Sequence, residues 1–249
     1  MSVAVRYRWT GGELELFDYC DTTDSHILAA GSWLVSDGRT LALEAHRQRF
    51  TASAGTDVGQ FWNNVIAAIP REGDWFPRVE ADSNARLLFR HRSAPPRARS
   101  VVLATWAGPD ARTRPRVKGP DLEWMLGVRT SVQAAGAGEA VILTDDGYVA
   151  EGATSALLWW RGNILCGPPF DRIDSVTARS VLTLATALGF DTHEEAVTPA
   201  ELEGTELWAL SALHGIRIAT SWVDGPALAE QPGRLAAWRA RLDALRRPI

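Results

Sequence analysis

Lysine is almost missing from this chain. Of 249 residues 26 are basic, and Lys118 is the one lysine; the other 25 are arginine. Arginine can stand in for lysine on a solvated surface, but its guanidinium stays protonated at any working pH. It cannot serve where a nitrogen must lose its proton and attack a carbonyl. Lys118 is therefore the candidate for covalent chemistry, with a Schiff base as the obvious form; the plain alternative is a chance survivor of arginine bias. Cysteine is nearly as scarce. Cys20 and Cys166 are far apart and match no metal-ligand spacing, so reduced thiols and no metal site are expected. No apolar stretch reaches membrane-spanning length. The opening MSVAVRYRWTGGELELF has no basic region followed by an apolar run, so no signal peptide is expected either. A net charge of -4 gives no reason to expect a nucleic-acid partner, despite the arginine. These absences together point to a soluble, cytoplasmic protein.

What is present fits a globular chain with a sizeable core: 46% hydrophobic and 22% charged residues lie in the ordinary range. Eleven tryptophans are many, and being scattered they suit core and interface packing. Short strands are expected around Thr10-Gly11-Gly12. Residues 31–44 read as a hairpin turning at Asp37-Gly38, followed by helices over 44–54 and 58–69. Strands are expected at 86–89 and 100–105. Residues 107–117 (AGPDARTRPRV), rich in Pro, Gly and Arg, read as a linker. They would divide an N-terminal domain, 1–106, from a C-terminal domain, 118–249, that carries the lysine. Beyond it come a helix over 121–135, hairpins at 140–150 and 157–165, a helix from about 176 to 188 ending at Gly189, and a short helix at 199–203. A strand at 206–210 and an amphipathic helix at 234–246 close the pattern. Strands and helices mix without regular alternation, so the expected class is α+β.

Four strings carry the chemistry in a meaningful order. Lys118 stands in RVKGPDL, and Glu151 follows a hairpin in DDGYVAEGATSALLWW. Ser175, Val176 and Thr177 open a helix in CGPPFDRIDSVTARSVL. Ser211 and Gly215 follow a strand in LWALSALHGIRI. Upstream, Arg49 lies in LEAHRQRFTASA, on one face of the first helix.

This order resembles the class IV aminotransferase family, the pyridoxal-phosphate enzymes that include branched-chain and D-amino-acid aminotransferases and aminodeoxychorismate lyase. The resemblance covers about residues 31–224 and is densest from Lys118 to Gly215. It implies a two-domain fold with pyridoxal 5'-phosphate between the halves, and a homodimer that acts on an amino acid and a 2-oxo acid. Lys118, in a K-x-x-N/D setting, would be the Schiff-base residue and carry the α-proton. Glu151, in the family's E-G-x-x-S-N-x-F position, would hold a proton on the pyridine nitrogen and make the ring an electron sink. Backbone amides of Val176 and Thr177, where the family has G-I-T-R, would bind phosphate at a helix N-terminus. Arg49, in an H-x-x-R-F string, would add a fork-shaped donor, and Ser211 would add a hydroxyl. His46 in the same string has a structural role.

For the substrate, Arg97-Ala98-Arg99 resembles the R-x-H segment that holds a carboxylate in D-amino-acid aminotransferases, and Trp33 sits on the strand that lines the family's pocket. Three departures stand out: Ala156 replaces the motif's asparagine, Ala178 its helix-start arginine, and Ala212 a phosphate-binding hydroxyl. They keep two rivals open. One is pyruvate elimination of the aminodeoxychorismate lyase type; the other is a degenerate, non-catalytic homologue that only binds cofactor.

Overall fold

The computed structural model describes residues 4–17 and 24–249. Cys20, read above with Cys166, lies outside them. The chain divides into two compact units. The first comprises residues 1–96, 117–120 and 245–249, and the second residues 97–116 and 121–244. The first break thus falls at Pro96/Arg97, not at 107–117, and Lys118 groups with the first unit.

The first unit is built on a five-stranded antiparallel sheet. Its strands are β1 (Val5–Trp9), β2 (Leu14–Leu16), β3 (Ile27–Ser32), β7 (Arg78–Asp82) and β8 (Leu87–His91), in the order β2-β1-β8-β7-β3. A smaller sheet is made by β4 (Val35–Ser36), β5 (Arg39–Thr40), β6 (Asp74–Trp75) and the C-terminal β17 (Arg247–Pro248). Its β4–β5 hairpin turns at Asp37-Gly38, both with positive φ, as a tight two-residue turn requires. Helices α1 (Leu43–Ala54) and α2 (Gly59–Ala68) follow. The spacing of His46, Phe50 and Ala54 gives α1 one buried stripe, and Phe61, Trp62 and Val65 give α2 another. These stripes pack with Ala29, Val79, Ala81 and Phe89, which share one face of the sheet. Each large side chain fully buried there contributes about 1.5–3 kcal/mol.

The opposite face of that sheet presents Arg6, Arg78 and Arg90 to Glu80, whose carboxylate is wholly buried and lies 2.6–3.4 Å from all three guanidiniums.

The second unit carries an eight-stranded mixed sheet. Its strands are β9 (Ser100–Thr105), β10 (Glu139–Leu143), β11 (Val149–Gly152), β12 (Ala156–Arg161), β13 (Ile164–Gly167), β14 (Asp191–Glu194), β15 (Leu207–Ser211) and β16 (Gly215–Val223). The order is β11-β10-β9-β16-β15-β12-β13-β14, with β9 parallel to both its neighbours. Three helices complete the unit: α3 (Leu122–Ser131), α4 (Val176–Ala187) and α5 (Arg234–Ala244). Helix α4 starts where the sequence marks it, because Ser175 is its N-cap and accepts from the Ala178 N–H. Trp160, Trp208 and Trp238 form a cluster in this unit, their ring centres 5.4–5.5 Å apart. Among the described residues no helix is long and apolar enough to cross a membrane.

Candidate functional site

Lys118 is placed by its backbone. Its carbonyl accepts the Ala30 N–H at 2.6 Å, so the main chain at Lys118 runs alongside the edge strand β3. Gly119 makes that approach possible. A Cβ there would lie 2.5 Å from the Leu28 carbonyl oxygen and 2.8 Å from the Ala29 nitrogen, closer than real contacts allow. The lysine thus sits in a bend whose main chain is bonded to β3. Arg49, also in the first unit, is half-buried on α1. His46, one turn before it, is buried and packs its ring against Trp33.

In the second unit Glu151 lies on β11 with its side chain 3% exposed. One carboxylate oxygen accepts from Arg112 at 2.6 Å and the other from the Ile173 N–H at 3.2 Å. Ile173 is three residues before Val176, so Glu151 is tied to the loop that opens α4, within about 11 Å of chain. Val176 and Thr177, the first two residues of that helix, are both buried. Helix geometry leaves their N–H groups without an intrahelical acceptor, and a helix start of this kind can take an anion. Ser211 accepts the N–H of His214 at 3.3 Å, which ties its hydroxyl into the turn between β15 and β16.

The loop ahead of Lys118 is exposed at Ala107, Pro109, Ala111, Thr113, Arg114 and Arg116, and one of its side chains turns inward. The Arg112 side chain is 2% exposed and binds Asp110 through three contacts of 2.7–3.1 Å besides its bond to Glu151. The loop is anchored beside it by Asp121, whose carboxylate accepts from Thr113 N and Oγ1 and from Arg114 N. Burial pushes the Asp121 carboxyl upward, and these hydrogen bonds outweigh it and hold it below the usual carboxylate range. Arg112 escaped the sequence reading because an arginine among Pro, Gly and Thr looks exposed. Its signal was the flanking acids Asp110 and Asp121.

Ser155, the polar residue left in the Glu151 motif, points its hydroxyl at Glu139 at 2.8 Å. Glu139 is fully buried and also accepts from Thr154 N, Thr154 Oγ1 and Arg217.

The residues expected to hold substrate are placed differently. Trp33 is 0% exposed in the first unit's core, 4.7 Å from Trp62, so it fills the interior instead of lining a pocket. Arg97 gives both ends of its fork to Asp243 on α5, at 3.0 and 3.1 Å, and so does not offer the open carboxylate clamp expected of it. Arg99 stands exposed. A cavity of about 460 Å³ opens at the start of α4, lined by Ala156, Ile173, Ser175 and Ala178 among others. Glu151, Val176 and Thr177 do not line it.

Beside Arg97, His214 accepts the Ala98 N–H on Nδ1 at 3.1 Å. Burial and the positive charges of Arg217, Arg129, Arg239 and Arg97 push its imidazole down to about 4 from 6.5. The folded state therefore resists a proton that the unfolded chain takes up near 6.5. Stability is full above that pH and falls progressively between about 6.5 and 4. The expected loss is about 1–2 kcal/mol, discounted for partial exposure. Urea melts of His214→Gln should lack this slope over the window; an unchanged slope would assign it to other groups.

The family profile for amino-transferase class IV matches residues 31–222, and the chain belongs to that family. The chain is 27% identical to the bifunctional aminodeoxychorismate lyase / D-amino acid transaminase of Mycobacterium tuberculosis (strain ATCC 25618 / H37Rv), over 72% of this chain and 76% of that protein. Its fold is shared with the PLP-bound form of a hypothetical aminotransferase from Mycobacterium tuberculosis (TM-score 0.79, 21% identity, 97% of this chain and 98% of that one). It is shared equally with the branched-chain amino acid aminotransferase from Escherichia coli (TM-score 0.79, 14% identity, 97% and 94%).

Proposed function

We propose that the chain is a pyridoxal-phosphate-dependent aminotransferase that moves an amino group between an amino acid and a 2-oxo acid. The observation that carries this is the union, in one short loop, of a buried carboxylate and a buried helix start: Glu151 bound to Ile173, and Val176 opening α4. Such a pair suits a ligand with a basic ring nitrogen and a phosphate. In the second unit the carboxylate at Glu151, the amides at Val176 and Thr177 and the hydroxyl at Ser211 are groups that suit the cofactor, and we assign to the same reading the amine at Lys118 and the guanidinium at Arg49. When bound, pyridoxal phosphate supplies an electron sink for the charge left on the substrate's α-carbon. Lys118 binds the cofactor aldehyde and moves the α-proton, because a lysine amine deprotonates where arginine does not. Glu151 holds the proton on the ring nitrogen. The α4 amides and Arg49 hold the phosphate dianion.

The purified protein should show a visible absorption band from bound cofactor that shifts when the right amino acid, L or D, is added. A colourless protein that takes up no added pyridoxal phosphate would end this reading. A lyase reading is favoured by the bifunctional relative. Under it, aminodeoxychorismate alone should release pyruvate and 4-aminobenzoate with no amino acceptor present. A protein that takes up cofactor but leaves its spectrum unchanged with every amino acid tried would instead be the non-catalytic homologue.

A further inference from the structure

The contacts of Glu151 carry a consequence for the proton it is proposed to hold. Its partner Arg112 brings a full positive charge to one oxygen at 2.6 Å, with both side chains at or below 3% exposure. A guanidinium that close to the carboxylate weakens its attraction for any second cation. Arg112 is in turn half-neutralised by Asp110, which it meets through Nε and Nη2, and it reaches the Asp171 carbonyl through Nη2. The three side chains form a row, Asp110–Arg112–Glu151, with one net negative charge. A buried ion pair costs desolvation and is weak support for stability by itself. Here the loop is also anchored on the far side of Arg112 by Asp121, so the guanidinium's position is fixed twice.

We propose that Asp110 and Arg112 are positioning residues for the ring-nitrogen proton: Arg112 weakens the hold of Glu151 on it, and Asp110 restores part of that hold. The inference rests on the amino-transfer reading above. Its chemistry is electrostatic, since a charge within about 4–6 Å of a titrating group moves it by one unit or more. Asp121 also acts on Arg112 through its charge, and it is unchanged in every variant. Arg116 pairs with Asp171, Arg172 with Glu194 and Glu139 with Arg217, so these groups enter as a constant background. A tie that merely fastened the loop to β11 would not give the two residues opposite effects.

The test uses the full chain loaded with pyridoxal phosphate labelled with ¹⁵N in the ring, and reads the nitrogen's chemical shift against pH. Arg112→Gln removes the positive charge and should raise the midpoint by about one unit. Asp110→Asn leaves Arg112 less neutralised and should lower it. Arg112→Lys should return the midpoint toward that of the unaltered protein. Should Arg112→Gln fail to fold, the downward shift in Asp110→Asn, at a partly exposed carboxylate, carries the test alone. Midpoints that stay put, or that move in the same direction in both variants, would overturn the inference while leaving the amino-transfer reading standing. A protein that binds no labelled cofactor would overturn both.

Discussion

Replacing Lys118 by alanine should abolish amino transfer, with a loss of about 10³-fold or more, and Lys118→Arg should do the same. The arginine variant is the sharper experiment. It keeps a long cationic side chain at the same strand-edge position, so a role in charge or packing would survive it. A role that needs a neutral amine would not, because guanidinium keeps its proton. The backbone there should hold in both variants. The bond from Ala30 N to the residue's carbonyl is independent of its side chain, and Gly119 still permits the close approach to Leu28. Thermal melts of both variants check that the fold is kept. Borohydride reduction followed by peptide mapping gives the second readout: label on the peptide containing Lys118 in the unaltered protein, and none in either variant. Adding a small primary amine to the alanine variant should restore part of the rate. Activity in Lys118→Arg comparable to that of the unaltered protein would remove the lysine from the chemistry.

The largest loss of stability is expected from Glu139→Ala. This carboxylate is 0% exposed and neutralises Arg217, whose side chain is 5% exposed, at 3.1 Å. It also accepts from Thr154 N at 2.9 Å, Thr154 Oγ1 at 2.7 Å and Ser155 Oγ at 2.8 Å. Removing it strands a buried guanidinium and three donors at once. Breaking one side of such a pair costs about 3–5 kcal/mol, a large share of an ordinary domain's stability. Replacing both members by methionine should cost less than the sum of the single changes, since no charge is then left alone. Denaturant melts of the two single variants and the double variant decide this; simple additivity would mean that the pair is not coupled. The turn between β11 and β12 follows Glu151 directly, so Glu139→Ala should also weaken cofactor binding.

The elements that announced themselves in the sequence were those with strong local signals. The Asp37-Gly38 turn, the Ser175 cap before α4 and the apolar stripes of α1 and α2 needed no tertiary information. Strand β7, Arg78–Asp82, was not foreseen: RVEAD puts an acid in the middle of the run, and nothing local says that Glu80 is buried under its own strand's Arg78 and two arginines brought in from β1 and β8. The nine residues of β16 were missed for a similar reason, since Arg217, third in the run, reads as exposed until Glu139 arrives from β10. Lys118 and Glu151 could be picked out because composition and motif singled them out. Trp33 and Arg97 could not be placed, because a residue's name does not say whether it packs into the core or meets an acid on a distant helix. Arg112 shows the same limit from the other side: its burial depends on partners contributed by residues 110 and 151 together.

The crowding of indoles has an optical consequence. Trp33 and Trp62 pack at 4.7 Å in the first unit, while Trp160, Trp208 and Trp238 pack at 5.4–5.5 Å in the second. Rings this near exchange excitation, so each unit carries its own built-in chromophore pair or triplet, and circular dichroism can follow the two halves of one molecule without any added dye.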